Sequence, residues 1–178
     1  MRQTIQIEQV LREAVRTPYR DLVTRATGRA VRSSIEQALE AAGATVTVLD
    51  FSDVGLVDLS CAEEIVAKLL LRQTAGTFVL LQGLREDQLE AIEHVLNHHA
   101  IVALIRDAVS GSVRMVGRVE PDMRDAFGAL ETGEELSTDR LAARIGWTLE
   151  RARSALDVLI RLNVVRASDG AYTVPLAV

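Results

Sequence analysis

The most restrictive stretch of this chain lies between residues 136 and 174, where every element is marked by the residue that starts or stops it. Ser137 and Thr148 are both of the type that caps helix N-termini. Between them, residues 138–145 place Leu141, Ala142 and Ile145 on one side of a short helix, and Gly146-Trp147 interrupts it. From Leu149 a second helix carries Ala152, Ala155, Leu156 and Leu159 at helical spacing. Asn163 follows, a residue able to take the left-handed conformation that closes a helix. Residues 164–168 and 171–174 then flank Asp169-Gly170, the dipeptide favoured in a type I′ hairpin because both central positions need positive φ. Two helices around a tight turn, followed by a hairpin, are therefore expected here.

The preceding residues follow another pattern. Ile7, Val10, Leu11 and Val15 suggest a short amphipathic helix after a strand at 4–7, and a further strand is expected at 19–23. Val31, Ile35, Ala38, Leu39 and Ala42 share one face of a helix over 29–42 that Gly43 ends. The β-branched run 45–51 predicts a buried strand. Helices over 60–72 and 86–98 then alternate with strands at 76–81, 101–105 and 113–116. This alternation predicts a small mixed sheet with helices packed on it. No strand leads into a glycine-rich phosphate loop.

Length and composition fit such a chain. Its 178 residues suffice for one medium domain or two small ones, and Pro121 marks a plausible junction, giving units at 1–118 and 122–178. Hydrophobic residues at 48% and charged residues at 25% support a core, which the scarcity of aromatics makes aliphatic. The longest apolar runs, such as 78–81, are too short to cross a bilayer, and residues 1–4 lead into no signal-peptide stretch. With a single cysteine, Cys61, the expected compartment is a reducing cytoplasm, with no membrane partner.

Two resemblances carry function. Residues 136–174 resemble the winged helix-turn-helix family of bacterial transcription regulators. That likeness implies duplex DNA as a partner, contacted by Thr148, Arg151, Arg153 and Ser154 at the start of the second helix and by Arg166 and Ser168 on the wing. Residues 46–65, with Leu49-Asp50-Phe51-Ser52 leading to Asp58 and Ser60, resemble the STAS (sulfate transporter and anti-sigma-factor antagonist) family, in its STAS-like branch. Element order extends this likeness over 19–116. It implies an α/β regulatory domain that answers to a kinase or an anti-sigma factor. In anti-sigma-factor antagonists the phosphorylated residue immediately follows the aspartate; here Leu59 stands there and Ser60 comes one place later. Asp58 and Ser60 are the candidate phosphorylation or partner-contact residues. The fold class expected is thus a STAS-like α/β domain plus a C-terminal winged helix-turn-helix.

Charge pulls against the DNA reading, since residues 121–178 hold seven arginines against nine acids, where phosphate binders are usually basic. Arg151 and Arg153 also read as a solvated helix face, partly neutralised by Glu150 and Asp157. Ser60 with Glu63 has the pattern of a capping box, a structural reason for the serine that needs no phosphate. Glu90, His94 and His98 share a helix face at metal-binding spacing, but no second cluster completes a site. Cys61 near a helix start is a candidate nucleophile or, more commonly, a buried small residue. Asp50, Asp53 and Asp58 surround one loop without the paired base, nucleophile and oxyanion stabiliser of an enzyme.

The expectation is therefore a non-enzymatic regulator without cofactor or metal, with the STAS-like domain receiving a signal and the winged helix binding DNA. The alternative is a protein-interaction adaptor of the anti-sigma-factor antagonist type whose winged helix binds protein. Arginines 12, 16, 20, 25, 29 and 32 are spread along the N-terminal segment, which with the sheet edge could form a homodimer contact.

Overall fold

The computed structural model describes residues 1–131 and 133–175. Five strands form one sheet in sequential order: β1 (Arg2–Gln6), β2 (Val46–Asp50), β3 (Phe78–Gln82), β4 (Val102–Arg106) and β5 (Val113–Gly117). The first four are parallel and β5 returns antiparallel to β4, so the sheet is mixed, as its sequence pattern predicts.

Sequential order has a geometric consequence. Right-handed crossovers between successive parallel strands all fall on the same side of the sheet. The helices α1 (Ile7–Val15), α2 (Arg25–Ala42), α3 (Leu59–Ala62), α4 (Lys68–Leu71) and α5 (Glu86–His98) follow that rule. A π-helical turn, Glu63–Ala67, joins α3 to α4 in one continuous helix. These elements cover the face formed by Leu49, Val79, Leu81, Ala103 and Ile105. Because side chains alternate along a strand, Val46, Val48, Phe78, Leu80, Val102 and Leu104 point the opposite way, and they too are buried.

What covers this second face is the C-terminal segment. It comprises α6 (Pro121–Leu130), β6 (Leu136–Ser137), α7 (Thr138–Ile145), α8 (Leu149–Arg161), β7 (Arg166–Ser168) and β8 (Ala171–Thr173). Met123, Ala126, Phe127 and Leu130 of α6, Leu141 of α7 and Leu156 of α8 share one hydrophobic cluster with the sheet. Pro121 therefore begins a helix, at a position where its missing N–H costs nothing. Neither α6 nor β6 is anticipated by the sequence pattern, and β6 adds a third strand in the order β6-β8-β7.

Several local signals act as the sequence suggests. Ser137 and Thr148 cap α7 and α8, Gly146 and Asn163 take positive φ after them, and Asp169-Gly170 has φ of 50° and 78°. Near the start, the expected strand at 19–23 is reduced to one parallel bridge between Leu22 and Val57, and the first true strand is β1. Residues 176–178 at the end of the expected second domain lie outside the described residues.

Candidate functional site

The loop after β2 and the segment before α2 run side by side beyond the carboxyl end of the sheet. Leu22 N–H donates to Leu56 O (2.7 Å), Asp58 N–H to Leu22 O (2.9 Å) and Gly55 N–H to Arg20 O (2.8 Å). Asp21 accepts from Leu56 N–H at 2.8 Å. From the other side, Gln88 and Arg85 donate to the carbonyls of Val54 and Gly55. The loop is held by hydrogen bonds to the segment before α2 and to the start of α5.

Such a pairing turns alternate residues outward. Leu22 and Val57 are buried, whereas their neighbours Val23 and Leu56 are 38% and 51% exposed. Leu59 at the start of α3 is 50% exposed and Tyr19 is 70% exposed. Four large apolar side chains thus stand in solvent along the two paired segments, and apolar side chains mark an interaction surface where they join in one patch. Sequence reasoning passed over them because they read as ordinary hydrophobic residues. The available signal was the pair of doublets Leu22-Val23 and Leu56-Val57, in each of which an extended backbone buries only one member.

Asp58 and Ser60 lie within this surface, in roles other than those the capping pattern predicts. The helix starts one residue early, and Asp58 is its N-cap. Its Oδ1 accepts from Cys61 N–H (2.7 Å) and from the Ser60 hydroxyl (2.8 Å), and its Oδ2 from Thr24 N–H (2.9 Å). Partial burial works against the charge, but the donated bonds from Cys61, Thr24 and Ser60 outweigh it, and the carboxyl sits below the ordinary aspartate value. Glu63 does not reach back to Ser60. Its carboxylate meets His99 Nε2 at 2.8 and 2.9 Å, which removes the capping box. The serine hydroxyl stays partly exposed beside the cap.

Other candidate chemistry recedes. Cys61 is buried and its thiol donates to Thr24 O (3.1 Å); burial and the neighbouring Asp58 charge push it up to about 12, so it is a thiol at neutral pH rather than a nucleophile. No metal-holding group of His, Cys, Asp and Glu occurs among the described residues, so Glu90, His94 and His98 do not converge with further ligands. Asp50 is 8% exposed and belongs to a row of strand-end side chains, accepting from Ser52 N–H (2.9 Å), the Ser52 hydroxyl (2.6 Å) and Gln82 Nε2 (3.1 Å). Gln6, Asp50, Gln82 and Arg106 are in register across β1 to β4. Open α/β sheets bind ligands near this edge, but here the groups bond to one another.

A charged cluster lies behind the loop. Glu64 in the π turn is fully buried, 3.1 Å from Arg25 and 3.3 Å from Arg32, with Lys68 also in contact. Burial alone would raise its pKa, but Lys68, Arg25 and Arg32 hold it lowered. The spacings Arg32/Glu36 and Glu64/Lys68 were its only trace in the sequence.

The expected DNA-contacting residues are all exposed, but they are not equally free. Thr148 caps α8. Arg151 makes a two-pronged pair with Asp122 of α6 (2.6 and 3.1 Å), and its guanidinium lies 4.1 Å over the Trp147 ring. The partner is thus Asp122, from a helix the sequence did not reveal, rather than Glu150 or Asp157. Arg140 and Arg144 are both taken by Glu134. Arg166 sits 5.4 Å over Phe78 of β3 and is turned toward the sheet. Arg153 and Ser154 on α8 are exposed, Arg153 forms no ion pair among the described residues, and Ser168 adjoins the hairpin turn. Among the described residues no helix is long and apolar enough to cross a membrane. Comparison of the chain with protein-family models and with curated proteins gave no match.

Proposed function

We propose that this protein is a non-enzymatic regulator that docks a partner protein on the loop surface formed by Tyr19, Val23, Leu56 and Leu59 around Asp58 and Ser60. The observation that carries this reading is the exposure of large apolar residues on a loop fixed by hydrogen bonds, where mobility does not explain their position. The STAS-like sequence at 46–65 supports the choice of partner, a regulatory protein such as a kinase or an anti-sigma factor. Ser60 is the phosphorylation or contact residue in this reading. A phosphate there would enter an environment already holding the Asp58 carboxylate at 2.8 Å from the hydroxyl, and like charge would weaken the cap.

The test is affinity capture from the native host with the full chain, wild type against Leu56→Ser/Leu59→Ser, scored by quantitative mass spectrometry. Both positions are half exposed, so the double variant should fold. A partner recovered with the wild type and lost with the variant supports the reading; an unchanged set of recovered proteins removes this surface from it.

A second role belongs to the C-terminal segment. The order α6-β6-α7-α8-β7-β8 supports a winged helix-turn-helix, and the free side chains Arg153 and Ser154 on α8 support contact with duplex DNA. The internally paired Arg140, Arg144 and Arg151 instead favour the adaptor version, in which this segment binds protein. Fluorescence anisotropy on duplexes from around the gene decides between them. Saturable binding at near-physiological salt that falls in Arg153→Ala supports DNA, and its absence supports the adaptor.

A further inference from the structure

We infer that the free edge of β5 is a second docking site, built to accept a single extended peptide segment of a partner protein as an added strand. β5 ends the sheet and pairs only with β4. Its outer side lies in an open groove of about 400 Å³ between α5 and α6, bounded by Glu93 on one helix and by Arg124, Gly128 and Glu131 on the other. Arg114 and Met115 both line this groove, although successive residues of a strand point to opposite faces. The groove therefore passes over the edge of the strand itself, where backbone N–H and C=O groups are available to a further strand. No backbone hydrogen bond outside the β4 pairing involves Arg114, Met115 or Val116 among the described residues.

Two features select the occupant. Gly128 stands inside α6, where glycine is a poor helix former compared with alanine. A Cβ built there would meet nothing within 4 Å among the described residues, so none of them requires the glycine. A backbone lying close to α6 would require it. The rim also carries Glu93, Arg114, Arg124 and Glu131, which form no ion pair among the described residues, in contrast to the paired arginines of α7 and α8. Arg124 and Glu131 are separated by about 10 Å along the helix axis, the span of about three residues of an extended chain. The fitting ligand is an extended segment with charges of both signs on alternate residues and an apolar side chain toward Met115 and Phe127.

The experiment selects short linear peptides from a random display library against the full chain, then measures the enriched peptides by fluorescence anisotropy. Gly128→Leu is the key variant because leucine improves helix propensity and its Cβ has open space among the described residues, and an unchanged thermal midpoint shows that it folds. Expected are peptides with two-residue alternation that lose about tenfold or more in affinity in Gly128→Leu and in Arg124→Glu, and that slow amide hydrogen exchange at Arg114–Val116. Failure to enrich any peptide overturns the proposal, as does binding indifferent to Gly128→Leu or protection that falls outside β5. Peptides lost in Leu56→Ser/Leu59→Ser but retained in Gly128→Leu would assign binding to the loop surface alone. Concentration-dependent protection of β5 without peptide would show a second copy in the slot and would equally overturn it.

Discussion

The two faces of the five-stranded sheet are buried to the same degree but by different means. On one face the cover is local, because each crossover helix is tied to the strands it joins and the handedness of the connections places it there. On the other the cover comes from α6 to β8, which follow the whole sheet in sequence and meet Val48, Leu80 and Leu104 across long separations in the chain. The contrast extends to the surfaces. The loop surface beside the first face exposes Val23, Leu56 and Leu59 and secures its charges underneath, whereas the C-terminal segment exposes one large apolar side chain among its described residues, Leu149, and pairs Arg140, Arg144 and Arg151 with carboxylates. A region that displays Leu56 and Leu59 is prepared for a protein. A region that holds Arg151 on Asp122 must give up a bond before it can take a phosphate.

Adjacent residues on β3 give the largest test of this comparison. Leu80 faces the C-terminal segment and Leu81 the crossover helices, so either truncation to alanine should cost about 2–5 kcal/mol. In Leu80→Ala, the fluorescence of Trp147, the only tryptophan, should be lost together with far-UV circular dichroism on denaturation. An earlier, separate Trp147 transition would show that the second face is a contact between independently folding units.

Next comes Glu64→Ala, which leaves Arg32, only 8% exposed, with one carboxylate fewer and should cost about 3 kcal/mol. The same group gives a pH dependence. Its pKa is lowered in the folded state, so its contribution is complete above the ordinary glutamate value of 4.5 and is lost as pH falls below that. Urea midpoints for wild type and variant should therefore converge in acid, and parallel curves would contradict the charged cluster.

A smaller effect separates the cap from its neighbour. Asp58→Ala should cost about 1 kcal/mol as an N-cap, and Ser60→Ala clearly less. The reverse order in thermal denaturation would restore Ser60 as the cap.

The smallest change in stability belongs to Asp122→Asn, which loosens an exposed pair that solvent already screens. It frees Arg151, so any duplex affinity should rise and steepen in its salt dependence. No change in either would detach Arg151 from nucleic acid and strengthen the adaptor reading.

Much of the framework is legible because its signals are local. Glycine, asparagine and capping residues at 137, 146, 148, 163 and 169–170 act within a turn of the chain, and helical or alternating patterns set α2, α5 and the strands. Helix α6 escapes because Pro121 serves equally at a junction and at a helix start. The cap at Asp58 escapes because Ser60 with Glu63 satisfies the same pattern, and the choice between them rests on distant partners: Thr24 binds Asp58, and His99 draws Glu63 away.

By itself, then, the sequence determined the alternation of strands and helices that builds the mixed sheet and the two-helix-and-hairpin order that follows it, but not α6, β6 or the reduction of residues 19–23 to a single bridge. Only the tertiary structure decided which apolar residues remain outside, which carboxylate holds each arginine, and that α6 to β8 close the second face. Those outcomes depend on contacts between residues far apart in the chain, and hydrophobic burial, which has no direction of its own, does not specify partners until the backbone has brought them together.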